Sequence, residues 1–238
     1  MDKLEVQKRV LKNGEPLSLD DFIWDEKTNT FSSVENSLVL DFNWIHDCTF
    51  NTGSGCTFNT DYDCTFNTGS GCTFNTDYDC TFNTDYDCTF HTGSGCTFNT
   101  DYDCTFNTGS GCTFNTDYDC TFNTGSGCTF NTGYDCTFNT DYDCTFHTGF
   151  GCTFKINDYK FPIAPLRFNG SRYCIEVSGP SLIRSGCIEK PVKWWQENIK
   201  RCAEENSYTP GQVKEYEFYV EILAKWLDRF GKEIQVND

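Results

Sequence analysis

The 238-residue chain predicts a mostly β fold: a parallel, two-sheeted β-solenoid with 16 residues per coil, a β-rich N-terminal cap and a C-terminal αα-hairpin. Three observations carry this prediction. Fourteen of the 17 cysteines recur at every eighth residue from Cys48 to Cys152. Eleven of them head a unit Cys-Thr-Phe-Asn-Thr, and the units are closed by three turn residues, mostly Gly-Ser-Gly or Asp-Tyr-Asp. The two corner types alternate, with one slip where the units at Cys72 and Cys80 both carry Asp-Tyr-Asp. A short fixed period marks a repeat architecture. Eight residues match neither helical repeat, of seven or of eleven.

Each octad reads as a five-residue strand and a three-residue corner, because Thr, Phe and Cys suit a pleated surface while Gly, Asp and Asn suit turns. Strand alternation places Cys48, Phe50 and Thr52 on one face and Thr49 and Asn51 on the other. Burial of Cys and Phe makes the first face the core. The first corner residue is Gly, Asp or Asn157 in every unit, so the left-handed backbone is expected there. A two-octad coil stacks like corners: Asp85, Asp101 and Asp117 in one column, Gly93, Gly109 and Gly125 in the other. Fourteen octads then give 7 coils, roughly 34 Å at about 4.8 Å each. The repeat register is expected to start one unit early, with Leu40 in the place of cysteine.

The division expected is a cap over 1–39, the solenoid over 40–159 and a C-terminal cap over 160–238. In the first segment, Asn13-Gly14 signals a hairpin, and Trp24 to Phe31 suggests another. Residues 160–189, with Pro162, Pro165, Gly170, Gly179 and Pro180, are expected to form irregular strands and turns. Two helices follow, about Pro191 to Glu205 and from Thr209-Pro210 onward, where Gln212 completes a capping-box pattern.

Parallel Cβ vectors one coil apart are too widely spaced for disulfides, so the cysteine column is read as buried thiols. No CxxC pair points to a metal, and the two CxxH spacings, Cys88 to His91 and Cys144 to His147, set Cys and His on opposite faces of a strand. Charge is segregated: the net of −17 comprises −5 in residues 1–47, −13 in 48–159 and +1 in 160–238. No Lys or Arg lies between Cys48 and Phe154, which disfavours direct nucleic-acid binding. No apolar run approaches the roughly 18 residues of a membrane span. The charged N-terminus, Met1 to Val10, has no secretory h-region, so an intracellular or virion-associated location is expected.

An enzyme is not expected. His91 and His147 replace the repeat's Asn on opposite sheets, His46 lies outside the repeat, and no nucleophile–base set or phosphate loop accompanies them. The reading is a non-enzymatic, rigid, acidic structural or binding module with no cofactor. Self-association through the C-terminal helices or the solenoid end is the partner expectation.

Three alternatives rest on particular residues. Outward ranks of Thr49, Asn51, Thr57, Asn59, Thr65, Asn67, Thr73, Asn75, Thr97, Asn99, Thr105 and Asn107 offer a regular array. Gly133-Tyr134-Asp135-Cys136-Thr137-Phe138-Asn139 resembles the octads of bacterial ice-nucleation proteins, which implies a water- or ice-ordering face. The bulkier inward Phe and the Asn or His in place of the second Thr depart from that family. Stacked corner carboxylates (Asp61, Asp63, Asp77, Asp79, Asp85, Asp87, Asp101, Asp103, Asp117 and Asp119) offer hard oxygen ligands for calcium. That resembles the RTX β-roll, without its nonapeptide. An acidic solenoid also resembles pentapeptide-repeat DNA mimics in shape. The whole chain resembles uncharacterised Cys-Thr-Phe repeat proteins of viral or metagenomic type, a likeness that implies fold alone.

Overall fold

The structure is a computed structural model and describes residues 1–236. The chain forms two compact units, Met1–Cys152 and the remainder from Thr153.

In the first unit every octad contributes a strand of three or four residues that begins at its first threonine, such as Thr49–Thr52, Thr57–Thr60 and Thr73–Asn75. Successive strands alternate between two parallel sheets, and each pairs in register with the strand two octads on: Phe58 with Phe74 in one sheet, Phe66 with Phe82 in the other. Seven parallel strands run from Leu38–Phe42 to Thr137–Thr140, and eight from Thr30–Ser32 to Thr145–His147. This is the two-octad coil that the alternating corners predict.

The core is two facing columns of phenylalanine. Phe90 stacks on Phe106 with centroids 4.8 Å apart and planes 2° apart. It meets Phe98 of the facing sheet edge-on, at 5.1 Å and 74°. Both favourable aromatic geometries thus recur at every rung, each adding about 0.5–1.5 kcal/mol beyond area burial. Cysteine lies at one margin of this core and the second threonine at the other. Thr68 and Thr84 donate their hydroxyls to the next carbonyl, at 3.3 and 3.4 Å. The buried hydroxyls of Thr100 and Thr116 make no hydrogen bond.

Two expectations about the repeat are corrected. From Gly55 to Gly151 the left-handed residue is the third of each corner, not the first: Gly55, Asp63, Gly71 and Asp79 have φ of 68°, 54°, 68° and 58°, while in the last unit the first position carries it as expected, at Asn157 with φ of 49°. The sign change belongs immediately before cysteine, where the chain leaves the corner and must send Sγ inward. Asp tolerates that region nearly as Gly does, which is why these two types share the position. The first corner residue is small for a different reason in the glycine blocks. A Cβ on Gly109 would stand 2.4 Å from Ser94 Oγ and 2.9 Å from the Gly93 backbone.

The second correction concerns register. Leu40 pairs with Phe58, so Leu38 takes the cysteine place, and Leu40 and Phe42 take the places of Phe58 and Thr60. The 39/40 boundary therefore cuts through the strand Leu38–Phe42. Residues 30–42 form a first coil of divergent sequence. Antiparallel strands close both sheets beyond it. Val10–Lys12 pairs with Leu38–Phe42 and with Glu15–Pro16 through the Asn13-Gly14 turn, where φ is 54° and 84°. Ile23–Asp25 pairs with Thr30–Ser32. Pro16, which lacks an N–H, lies on the outermost strand of its sheet and blunts that edge.

In the second unit the hairpin Thr153–Ile156 and Tyr159–Phe161 is joined on its outer side by Gln235–Val236. The segment expected to be irregular is an ordered antiparallel meander of Arg167–Asn169, Cys174–Gly179, Leu182–Ser185 and Ile188–Pro191. Its prolines and glycines fall at strand ends and in the connections: Gly179 and Pro191 end strands, Pro180 lies in the turn that follows Gly179, and Gly186 has φ of 55° at the next turn. Helices Val192–Glu205 and Pro210–Phe230 pack on each other and on this sheet. The second opens with the Thr209–Gln212 capping box. Trp195 donates its indole N–H to the Ile183 carbonyl at 2.8 Å, and Tyr216 Oη accepts from the Tyr173 amide at 2.6 Å. Glu176, buried in the meander, lies between Arg167 at 3.8 Å and Arg184 at 4.0 Å.

The core makes opposite demands at two positions. Phe98→Ala opens both a stack and an edge contact and is expected to cost about 3–5 kcal/mol in urea denaturation. Thr116→Val removes a buried hydroxyl without a partner and is expected to raise stability by up to about 1 kcal/mol.

Candidate functional site

The repeat presents three sets of polar groups: thiol columns at the core margin, amide ranks on the flat faces, and acidic corners at the edges.

The thiols are made by the coil period. Cysteines two octads apart lie one above another, each 0–1% exposed through most of the column. None forms a disulfide among the described residues. The Sγ atoms donate toward backbone carbonyls of the corners; Cys80 reaches Asp61 O at 3.5 Å and Tyr78 O at 3.6 Å. Cys64 and Cys88 are pushed up to about 11, first by hydrogen bonding to the neighbouring thiol and then by burial. Cys80 and Cys104 are pushed up to about 12 by the same causes in the same order. These groups are neutral donors that satisfy corner carbonyls, and their setting disfavours the thiolate that acts as nucleophile.

The faces carry the ranks that the sequence places outward. Thr49, Thr57, Thr65, Thr73, Thr97 and Thr105 are half-buried; Asn67, Asn75 and Asn99 are exposed; Asn51, Asn59 and Asn107 are half-buried. The asparagines bond to one another. On one face Asn67, Asn83, Asn99, Asn115 and Asn131 each donate Nδ2–H to the Oδ1 of the asparagine one coil back, all at 2.9 Å, and Asn51 closes the ladder on Ser32 Oγ at 3.1 Å. Every amide dipole points the same way, which favours mutual polarisation. On the other face Asn75 bonds Asn59 at 2.9 Å, Asn123 bonds Asn107 at 3.0 Å, and His91 Nδ1 stands in the rank 3.3 Å from Asn107 Nδ2. His147 lies in the opposite sheet, as expected. Sequence reasoning placed these residues outward but missed the ladder; the recurrence of identical amides one coil apart was the available signal.

The corners form two columns, one on each edge. Asp61-Tyr62-Asp63 and Asp77-Tyr78-Asp79 stack on one edge, and Asp85-Tyr86-Asp87, Asp101-Tyr102-Asp103 and Asp117-Tyr118-Asp119 on the other. The slip at Cys72 and Cys80 is what moves the acidic block across. Aromatic stacking holds each block together: Tyr86, Tyr102, Tyr118, Tyr134 and Phe150 form one continuous pile at 4.9–5.3 Å. Nine of the ten corner carboxylates singled out as calcium ligands are exposed, and Asp61 is half-buried. Asp77 is raised above its ordinary range because it shares a hydrogen bond with Asp61, with burial second and the Asp61 charge third.

The fold and its repeat define an octapeptide-repeat, two-sheeted β-solenoid joined to a small α+β unit. No protein-family model, curated protein or solved structure matches the chain. No helix among the described residues is long and apolar enough to cross a membrane.

The raised thiols Cys64, Cys80, Cys88 and Cys104 make stability fall in alkali. A thiol whose folded value is raised keeps its proton while the unfolded chain loses it, so stability is full below the ordinary thiol range and declines above it. For Cys64, Cys80, Cys88 and Cys104 the window runs from the ordinary 9.0 to about 11–12. Urea midpoints measured from about pH 8 to about pH 11 should fall steadily, and replacing Cys80 and Cys104 by Ala should flatten the slope. At neutral pH a thiol reagent should react slowly with the native columns and fully after denaturation.

Proposed function

We propose that this protein is a non-enzymatic scaffold whose repeat unit serves as a stiff, acidic display element. The carrying observation is that the repeated polar side chains are largely engaged in ladders. Thiols bond to corner carbonyls, asparagines to asparagines, and tyrosines to tyrosines. Groups committed to neighbours in this way serve rigidity and regular spacing, while catalysis needs a convergent set with one group left to act. Between Cys48 and Phe154 the surface carries Asp without Lys or Arg, which repels nucleic acid and keeps like segments apart.

The scaffold reading is tested by changing length. Removing residues 96–111, one complete two-octad coil, joins two equivalent rungs. The shortened chain is expected to unfold in one cooperative transition with unchanged circular dichroism per residue and two fewer thiols. Loss of cooperative folding would contradict a modular scaffold.

A second reading is favoured by the ranks themselves. Threonine hydroxyls and asparagine amides recur at the coil rise on flat sheets, a lattice suited to ordering water. Freezing-point hysteresis and droplet-freezing temperature test it. Activity that grows with added coils and falls on Thr81→Tyr, which breaks the flat rank, supports water ordering. No departure from buffer in the folded protein removes it.

A further inference from the structure

Two departures from the repeat meet at one groove. Trp44 lies between the divergent first coil and the first octad. Its side chain is 91% exposed and its backbone φ is 68°. A bulky residue in the left-handed region is an uncommon outlier, and a solvent-borne indole forfeits the burial that normally keeps tryptophan in place. Such outliers concentrate at functional sites. The second departure is His91, which stands where eleven octads carry Asn and is exposed on the sheet face.

Trp44 and His91 lie at the ends of one open groove of about 520 Å³, with Thr60, Asp61, Asn75 and Asp77 between them. These residues come from four successive levels of the solenoid. Three coil rises separate the ends, a span of roughly 15 Å at about 4.8 Å per rise. The lining offers a planar apolar platform at one end, then a hydroxyl, two carboxylates, an amide and an imidazole. The fold holds them at fixed spacing. Trp44 is the only large apolar residue among them, so the groove does not suit an apolar peptide or a lipid tail. Its carboxylates, with no nearby Lys or Arg in the repeat, exclude anions such as nucleic acid or sulfated glycans.

We propose that this groove binds a neutral oligosaccharide. A pyranose ring presents C–H groups on one face, which suit an indole plane, and hydroxyls around its rim. Trp44 would hold one ring by that face. Asp61 and Asp77 accept hydrogen bonds from ring hydroxyls, Asn75 both donates and accepts, and His91 reaches a further ring along the groove. A groove of this length accommodates two to three sugar rings. The reading is independent of the scaffold proposal, since the groove lies on the face of a coil that would be stiff with or without a ligand.

The test is calorimetric titration of the full chain with cellotetraose, maltotetraose, chitotetraose and mannotetraose, with spermidine as the cationic control. At least one saccharide is expected to bind and to change tryptophan fluorescence. Trp44→Ala should weaken that binding at least tenfold and abolish the fluorescence change, while Trp44→Phe should retain part of the affinity. His91→Asn restores the repeat's own residue, so it keeps the fold, and it should weaken binding several-fold. Absence of binding by all four saccharides overturns the proposal. So does saccharide binding that neither Trp44→Ala nor His91→Asn alters. Spermidine binding without any saccharide binding overturns it in favour of a cation site.

Discussion

The stacking of one phenylalanine on its copy two octads away is the constraint on which the rest of the first unit depends. Phe50 to Phe138 are fully buried, each against a parallel ring in its own sheet and an edge-on ring from the facing sheet. Each buried ring removes apolar surface worth about 1.5–3 kcal/mol from water. More important is what the stack dictates. It fixes the coil at two octads, and that period then brings cysteine over cysteine, asparagine over asparagine and tyrosine over tyrosine. The thiol columns, amide ladders and acidic edges are consequences of one register.

The repeat was legible in the sequence, and so were the two N-terminal hairpins and the C-terminal helices with their Thr209–Gln212 capping box. The two-sheeted architecture follows from alternation within Cys-Thr-Phe-Asn-Thr, and the coil size from the order of the corners. What escaped was geometry below the level of pattern. Both the first and the third corner residues are Gly or Asp, so composition alone does not say which carries the left-handed backbone. Only the need to turn the cysteine inward assigns it to Asp63, Asp79 and their equivalents. The start of the solenoid was misplaced because Leu38, Leu40 and Phe42 fill the roles of cysteine, phenylalanine and threonine with different apolar residues. The strands and turns of residues 160–189 were expected, but the regular antiparallel order of the meander over 167–191 was not, because its turn residues punctuate short strands more densely than they lengthen loops.

The candidate site was legible in position and not in chemistry. Thr and Asn were correctly placed outward, and Asp at the edges, yet a single octad cannot reveal that an amide's partner is the next amide. The bond between Asn99 and Asn83 joins neighbouring coils and exists only once the coil closes. His91 illustrates the converse. As one letter in a repeat it is an ordinary drift from Asn, whereas in the fold it lies across the groove from an exposed Trp44. Departures from a repeat carry meaning when the fold gathers them, which the linear sequence does not display.

The central claim is that every second octad stacks in register, cysteine over cysteine and phenylalanine over phenylalanine. Anomalous scattering from native sulfur in crystals of the protein measures this directly. The account requires two straight rows of sulfur positions, Cys48 to Cys144 and Cys56 to Cys152, repeating at the coil rise of about 4.8 Å with no bonded pairs. Three rows, as a three-octad coil would give, or sulfur pairs about 2 Å apart would contradict it.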